Sequence, residues 1–117
     1  MKDNVLLEKS FAFAVRVVKA YKYLAEEKRE FVLSKQFLRS GTSIGANSEE
    51  AISGQSKADF ISKISIAYKE ARETKYWIRL LKATDFFDET QSKSLLDDLE
   101  ELLKIIGSIQ ITSKSDS

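Results

Sequence analysis

The chain has no cysteine, no proline and no histidine, and only four glycines in 117 residues. Without cysteine there is no disulfide framework, no thiolate zinc site and no cysteine nucleophile, and nothing points to an oxidising compartment. The lack of proline and scarcity of glycine favour long uninterrupted helices over a turn-rich β fold. Without histidine, the Glu-x-x-His pairs by which helical bundles hold di-iron centres cannot form. Carboxylates such as Glu50, Glu70 and Glu73 therefore lack the imidazole that would complete such a site. No apolar run approaches the roughly 18 residues of a membrane span. The start, MKDNVLLEKS, has no continuous apolar stretch ending in a small-residue cleavage site. A cytoplasmic protein without membrane contact is expected.

What is present is charge, nearly balanced at 19 Lys and Arg against 18 Asp and Glu. The balance conceals segregation. Lys9, Arg16, Lys19 and Lys22 occupy a stretch without acids, whereas Asp85, Asp88, Glu89, Asp97, Asp98, Glu100 and Glu101 are offset only by Lys93. Either basic and acidic helices lie side by side and neutralise one another, or a basic surface is kept for a polyanion.

Periodicity predicts four helices. In the first, from about Asp3 to Glu27, Leu7, Phe11, Ala14, Val18, Tyr21 and Ala25 repeat in threes and fours and form the expected bundle seam. A second stripe, Leu6, Phe13, Val17, Ala20 and Leu24, runs beside it and makes the apolar arc wider than one intramolecular face requires. Leu6, Phe13, Val17 and Leu24 are thus the candidate oligomer interface. Helix two is expected from Leu33 or Ser34 to Ser53, with Gly54 as a left-handed cap. Ser56 with Asp59 signals the start of helix three, whose seam is Phe60, Ile64, Ala67, Ala71, Thr74, Ile78 and Leu81. Asp88 with Gln91 opens helix four, with Leu95, Leu99, Leu102, Ile106 and Ile109 inward. Short links and the absence of β signals give an all-α, antiparallel up-down-up-down four-helix bundle. It forms a single domain over 1–111, with 112–117 as a disordered tail.

The stretch RSGTSIGANSEEAISG, Arg39 to Gly54, is rich in small residues. It is no phosphate loop, because no strand precedes it and no Gly-Lys-Ser/Thr ends it. On a helix, Leu33, Phe37, Ser40, Ile44, Asn47 and Ala51 share a stripe, while Gly41 and Gly45 sit one turn apart beside it. Glycine inside a helix costs about 1 kcal/mol relative to alanine, so two of them imply a neighbour packed close to the backbone. The alternative is glycines merely tolerated on an exposed face. Arg39, Ser43, Asn47 and Glu50 form a polar row opposite Lys63, Glu70, Glu73 and Thr74 of helix three. Their meeting predicts a polar layer inside the bundle that sets helix register more than it stabilises.

RSGTSIGANSEEA, followed by DFISKISIAYKEARETKYWIRLL, resembles the four-helix bundle proteins encoded by intervening sequences within bacterial 23S rRNA genes. The accessory proteins of diversity-generating retroelements share that fold. The resemblance covers nearly the whole chain. Its motif positions here are Arg39, Ser40, Ser43, Ile44, Asn47 and Glu50, then Phe60, Lys63, Ala67, Glu70, Glu73, Thr74, Tyr76 and Trp77. It implies a ring, commonly a homopentamer, and for the retroelement members a basic surface that engages nucleic acid and a reverse transcriptase. The near-zero net charge and acidic fourth helix depart from that pattern.

Three functions follow as expectations. The first is a non-enzymatic oligomeric scaffold touching RNA through a ridge of Lys69, Arg72, Lys75, Arg79 and Lys82, whose contacts would be to phosphates and sensitive to salt. A solvated helix face is the simpler account of the same spacing. The second is a carboxylate metal enzyme, disfavoured by the missing histidine, as is a ribonuclease of the Arg-x4-His type, since Ile44 stands where that histidine would be. The third is a hetero-oligomeric protein-interaction module offering Tyr23, Tyr76 and Trp77, without nucleic-acid binding. No catalytic residue, cofactor, metal or small-molecule substrate is expected.

Overall fold

The structure, a computed structural model, describes residues 2–115. Four helices account for most of them: α1 Lys2–Glu26, α2 Leu33–Ile52, α3 Lys57–Ala83 and α4 Glu89–Ser115. Each packs on its neighbour in sequence, and α4 closes more loosely against α1. Cross-helix pairs run in opposite directions at the α2/α3 and α3/α4 seams: Arg39 with Glu73 and Lys63 with Glu50, then Lys82 with Glu89 and Lys75 with Glu100. The expected up-down-up-down bundle is what forms, 46 × 21 × 20 Å in extent.

The helix starts obey local chemistry. Ser56 accepts the Asp59 N–H at 3.1 Å. Asp88 and Gln91 exchange backbone-to-side-chain bonds of 2.8 and 2.7 Å, a reciprocal capping box. The start of α2 is different, because Val32 at its cap position has no side chain to offer. Glu30 reaches forward instead, and its carboxylate accepts the N–H groups of Val32, Leu33 and Ser34 at 3.2, 3.0 and 2.7 Å. Burial alone would raise this carboxyl, but these bonds and the Ser34 side chain outweigh it and hold the group below its ordinary value.

Two helix ends depart from expectation. Gly54 is not left-handed; its N–H bonds to the Ala51 carbonyl, and a Cβ there would come within 3.2 Å of that same oxygen. The left-handed positions fall instead on Arg29 and Asp85. After α3, Asp85 donates its N–H to Lys82 O and Phe86 donates to Leu81 O, a Schellman closure without glycine. At the other correction, α4 continues through Ser115, so residues 112–115 of the expected disordered tail are helical. Gln110 ties this last stretch to α3 by donating to the Ser65 hydroxyl at 3.3 Å. Residues 116 and 117 lie outside the described residues.

The core takes Phe37, Ile44 and Ala51 from α2, Ile64, Ala67, Ala71, Ile78 and Leu81 from α3, and Leu95, Leu99, Leu102 and Ile106 from α4, as the seams predict. On α1 the two stripes exchange roles. Leu6, Phe13, Val17 and Leu24 are fully buried in the bundle and do not form an oligomer interface. The stripe expected inside is the one turned outward, with Phe11 64% exposed and Val18 at the surface. The reason lies on α2. Gly41 sits directly under Val17 and Gly45 under the backbone of Ser10, so the two missing side chains make a notch that seats this edge of α1.

Candidate functional site

The small residues of α2 let two helices approach it at once. Gly41 and Gly45 face α1, while Ser40 faces α3, its hydroxyl 2.9 Å from that of Thr74 in a fully buried contact. Two of the buried hydroxyls are satisfied within their own helices: Ser48 donates to Ile44 O and Thr74 to Glu70 O, each at 2.7 Å. Such bonds let a polar side chain stay in an apolar core without an orphaned donor.

The rest of the predicted polar layer lies at the rim of the α2/α3 seam, not inside it. Arg39 spans two carboxylates, Glu70 at 3.2 Å and Glu73, with its own side chain 48% exposed. Trp77 donates its indole N–H to Glu73 at 2.8 Å and packs edge-on to Tyr76, ring centroids 5.1 Å apart. Ser43 and Asn47 bond backward along α2, to Arg39 O and Ser43 O, rather than across to α3. Glu50 meets Lys63 at 2.9 Å, and its hydrogen bond and charge raise the Lys63 ammonium above its ordinary value. Long side chains push the charges outward, where water lowers the cost of keeping them, while the short, uncharged Ser40 and Thr74 stay in the interior. With Glu70 and Glu73 paired to Arg39 and Glu50 to Lys63, these carboxylates do not converge. Among the described residues no group of three acidic, histidine or cysteine residues is placed to hold a metal.

The segregated charges are explained by α4 lying between two basic helices. Arg16 binds Asp98 at 2.6 Å and also Ser94, and Lys9 pairs with Glu101 at 3.3 Å. On the other side, Lys75 meets Glu100 at 2.8 Å and Lys82 meets Glu89 at 2.5 Å. This splits the predicted ridge. Lys75 and Lys82 are engaged by α4, while Lys69, Arg72 and Arg79 are exposed and make no ion pair among the described residues.

Arg72 and Arg79 border a groove of about 930 Å³ between α3 and α4. Tyr68 and Tyr76 share its α3 wall, and Lys104 and Gly107 stand on α4. Lys104 is the residue sequence reasoning missed. A lone base beyond the acidic cluster of α4 was its signal, but only the antiparallel register brings it opposite Arg72.

The second surface feature is the outward stripe of α1. Phe11, Val15 and Val18 are exposed on it, and Leu7, Ala14, Tyr21 and Ala25 are half-buried beside them; Val5, also exposed, lies about a third of a turn away. Tyr23 packs against the core, as does Trp77, which removes both from a fully open contact surface; Tyr76 remains 52% exposed. No helix is long and apolar enough to cross a membrane among the described residues.

No curated protein matches the chain. A crystal structure of a protein of unknown function from the S23 ribosomal protein family of Bacteroides thetaiotaomicron VPI-5482 is similar. It shares 55% identity, covers 94% of this chain and 98% of that one, and has a TM-score of 0.93. The family model for the 23S rRNA-intervening sequence protein matches residues 2–108, and the chain belongs to that family.

Proposed function

We infer that this protein is a non-enzymatic scaffold that assembles with copies of itself into a ring, five-membered as in the proteins it resembles, and presents that assembly to RNA or to a nucleic-acid enzyme such as a reverse transcriptase. The observation that carries it is the exposed apolar stripe of α1. Phe11, Val15 and Val18 remain in contact with water although four buried α1 side chains already complete the core. A contiguous apolar face of this kind favours association, and a second copy offers the same face. The lack of histidine and cysteine and the mutual pairing of Arg39, Glu70 and Glu73 favour a structural role over chemistry. The unpaired Lys69, Arg72 and Arg79 support contact with phosphates.

Size-exclusion chromatography with light scattering tests the assembly. The expected mass is five times the 13.3 kDa chain, falling to one chain in Phe11→Glu/Val18→Glu with the helical circular dichroism retained. A wild-type mass of one chain at micromolar concentration would overturn self-assembly and leave the stripe to a different protein.

A further inference from the structure

We propose that the groove between α3 and α4 holds single-stranded nucleic acid, with a base stacked on Tyr76 and phosphates on Arg72, Arg79 and Lys104; this rests on the RNA association proposed above and assigns it a site. Three observations converge. First, the groove's carboxylate, Glu100, is already paired with Lys75, so Arg72, Arg79 and Lys104 are left without ion pairs among the described residues. Elsewhere α4 neutralises the basic residues it touches, as with Arg16 and Lys9.

Second, the spacing suits a strand. Arg72 and Arg79 are two helical turns apart, about 10 Å along the axis, which matches roughly three nucleotides at the ~3.4 Å rise of a stacked strand. Tyr76 falls between them. The pairing of Lys75 with Glu100 places Lys104 one turn further along, on the opposite wall near Arg72.

Third, the stacking ring is preorganised. Tyr76 is 52% exposed and its ring is braced by an edge-to-face contact with Trp77. Trp77 is anchored to Glu73, and Glu73 to Arg39. A ring already fixed loses little entropy when a base covers it. Gly107 adds no side chain to the α4 wall, where the Tyr68 ring lies 3.7 Å from the position its Cβ would take. A duplex turns its bases inward and gives Tyr76 no face to stack on. An acidic peptide satisfies the cations but leaves the tyrosine unused.

The test is fluorescence polarisation of the full chain with a labelled ten-nucleotide oligouridine at low salt. Arg72→Gln/Arg79→Gln is expected to weaken binding at least tenfold and to flatten the salt dependence. Tyr76→Ala is expected to weaken it about fivefold or more, with Tyr76→Phe unchanged. Lys19→Gln/Lys22→Gln, on α1, is expected to have no effect. Wild-type binding by the arginine variant overturns the proposal, as does equal loss in the α1 variant, which would indicate diffuse charge. So does equal affinity for a hairpin duplex, competition by polyglutamate as effective as by unlabelled oligouridine, or competition by uridine monophosphate at the same concentration. Light scattering on the same samples separates the two proposals. A ring that does not bind oligouridine defeats this site alone, and a monomer that binds it defeats only the assembly.

Discussion

Gly41→Ala tests the close approach on which the rotation of α1 depends. A methyl group at position 41 would lie 2.7 and 2.8 Å from the two γ-carbons of Val17 and 3.2 Å from its β-carbon. Ordinary carbon contacts are about 3.5–4.0 Å, so roughly 1 Å of overlap must be relieved. Val17 is β-branched, fully buried and short, so it cannot swing away as a long side chain would. Overpacking of this kind costs about 1–3 kcal/mol, whereas alanine regains about 1 kcal/mol of helix propensity. The net expectation is a loss of about 1 kcal/mol, or about 4 °C in Tm for a domain of this size. With Val17→Ala already present both γ-carbons are gone and only the 3.2 Å approach to the β-carbon remains, so Gly41→Ala should then stabilise, by less than about 1 kcal/mol. The sign reversal is the diagnostic result. Urea denaturation of the four variants at one protein concentration gives the cycle. If Gly41→Ala stabilises the protein with Val17 intact, position 41 is not a close contact and the account of why α1 rotates is wrong. Gly45→Ala meets the Ser10 backbone at 3.3 Å or more, so its cost is expected to be smaller.

Other outcomes are equally specific. Phe13→Ala should cost about 3–5 kcal/mol in denaturant unfolding, as for a buried aromatic, while Phe11→Ala in a Val18→Glu background, compared at a concentration where light scattering gives the mass of one chain, should change stability by less than about 0.5 kcal/mol. Glu30→Gln should destabilise by about 1 kcal/mol at neutral pH through the lost cap. Because the folded Glu30 carboxyl is lowered, its contribution is present above the unfolded value of 4.5 and is lost as pH falls through the folded value; the two proteins' stabilities should therefore converge in acid. Asp85→Gly relieves a left-handed residue at φ 67° and should raise stability by about 0.5–1 kcal/mol in thermal unfolding. Glu73→Ala removes the acceptor for the Trp77 indole, and the tryptophan emission should shift to longer wavelength with little loss of stability, since exposed ion pairs contribute about 0–1 kcal/mol.

Helix positions, the capping at Ser56 and Asp88, and the seams of α2, α3 and α4 were legible because they depend on interactions within a few residues along the chain. The pairing of Arg39 with Glu70 and Glu73 was readable too, since one antiparallel register brings the two rows together. Its depth was not. Sequence spacing places a residue on a face but does not say how far its charge extends toward water. The Glu30 cap escaped notice because it acts from outside the helix, across a turn with no pattern of its own.

The amino-acid order alone determined that four helices form, that their apolar faces must meet, and that α1 carries more apolar surface than one bundle consumes. Which of its two stripes goes inside was decided only by tertiary packing. Both stripes repeat with the same period, and the more uniformly apolar one is the one left outside. The buried stripe includes Ser10, a small residue that fits against Gly45, while Val17 fits over Gly41. Complementary shape between distant segments, absent from either helix taken singly, selected the rotation. The same packing brought Lys104 to face Arg72 across a groove.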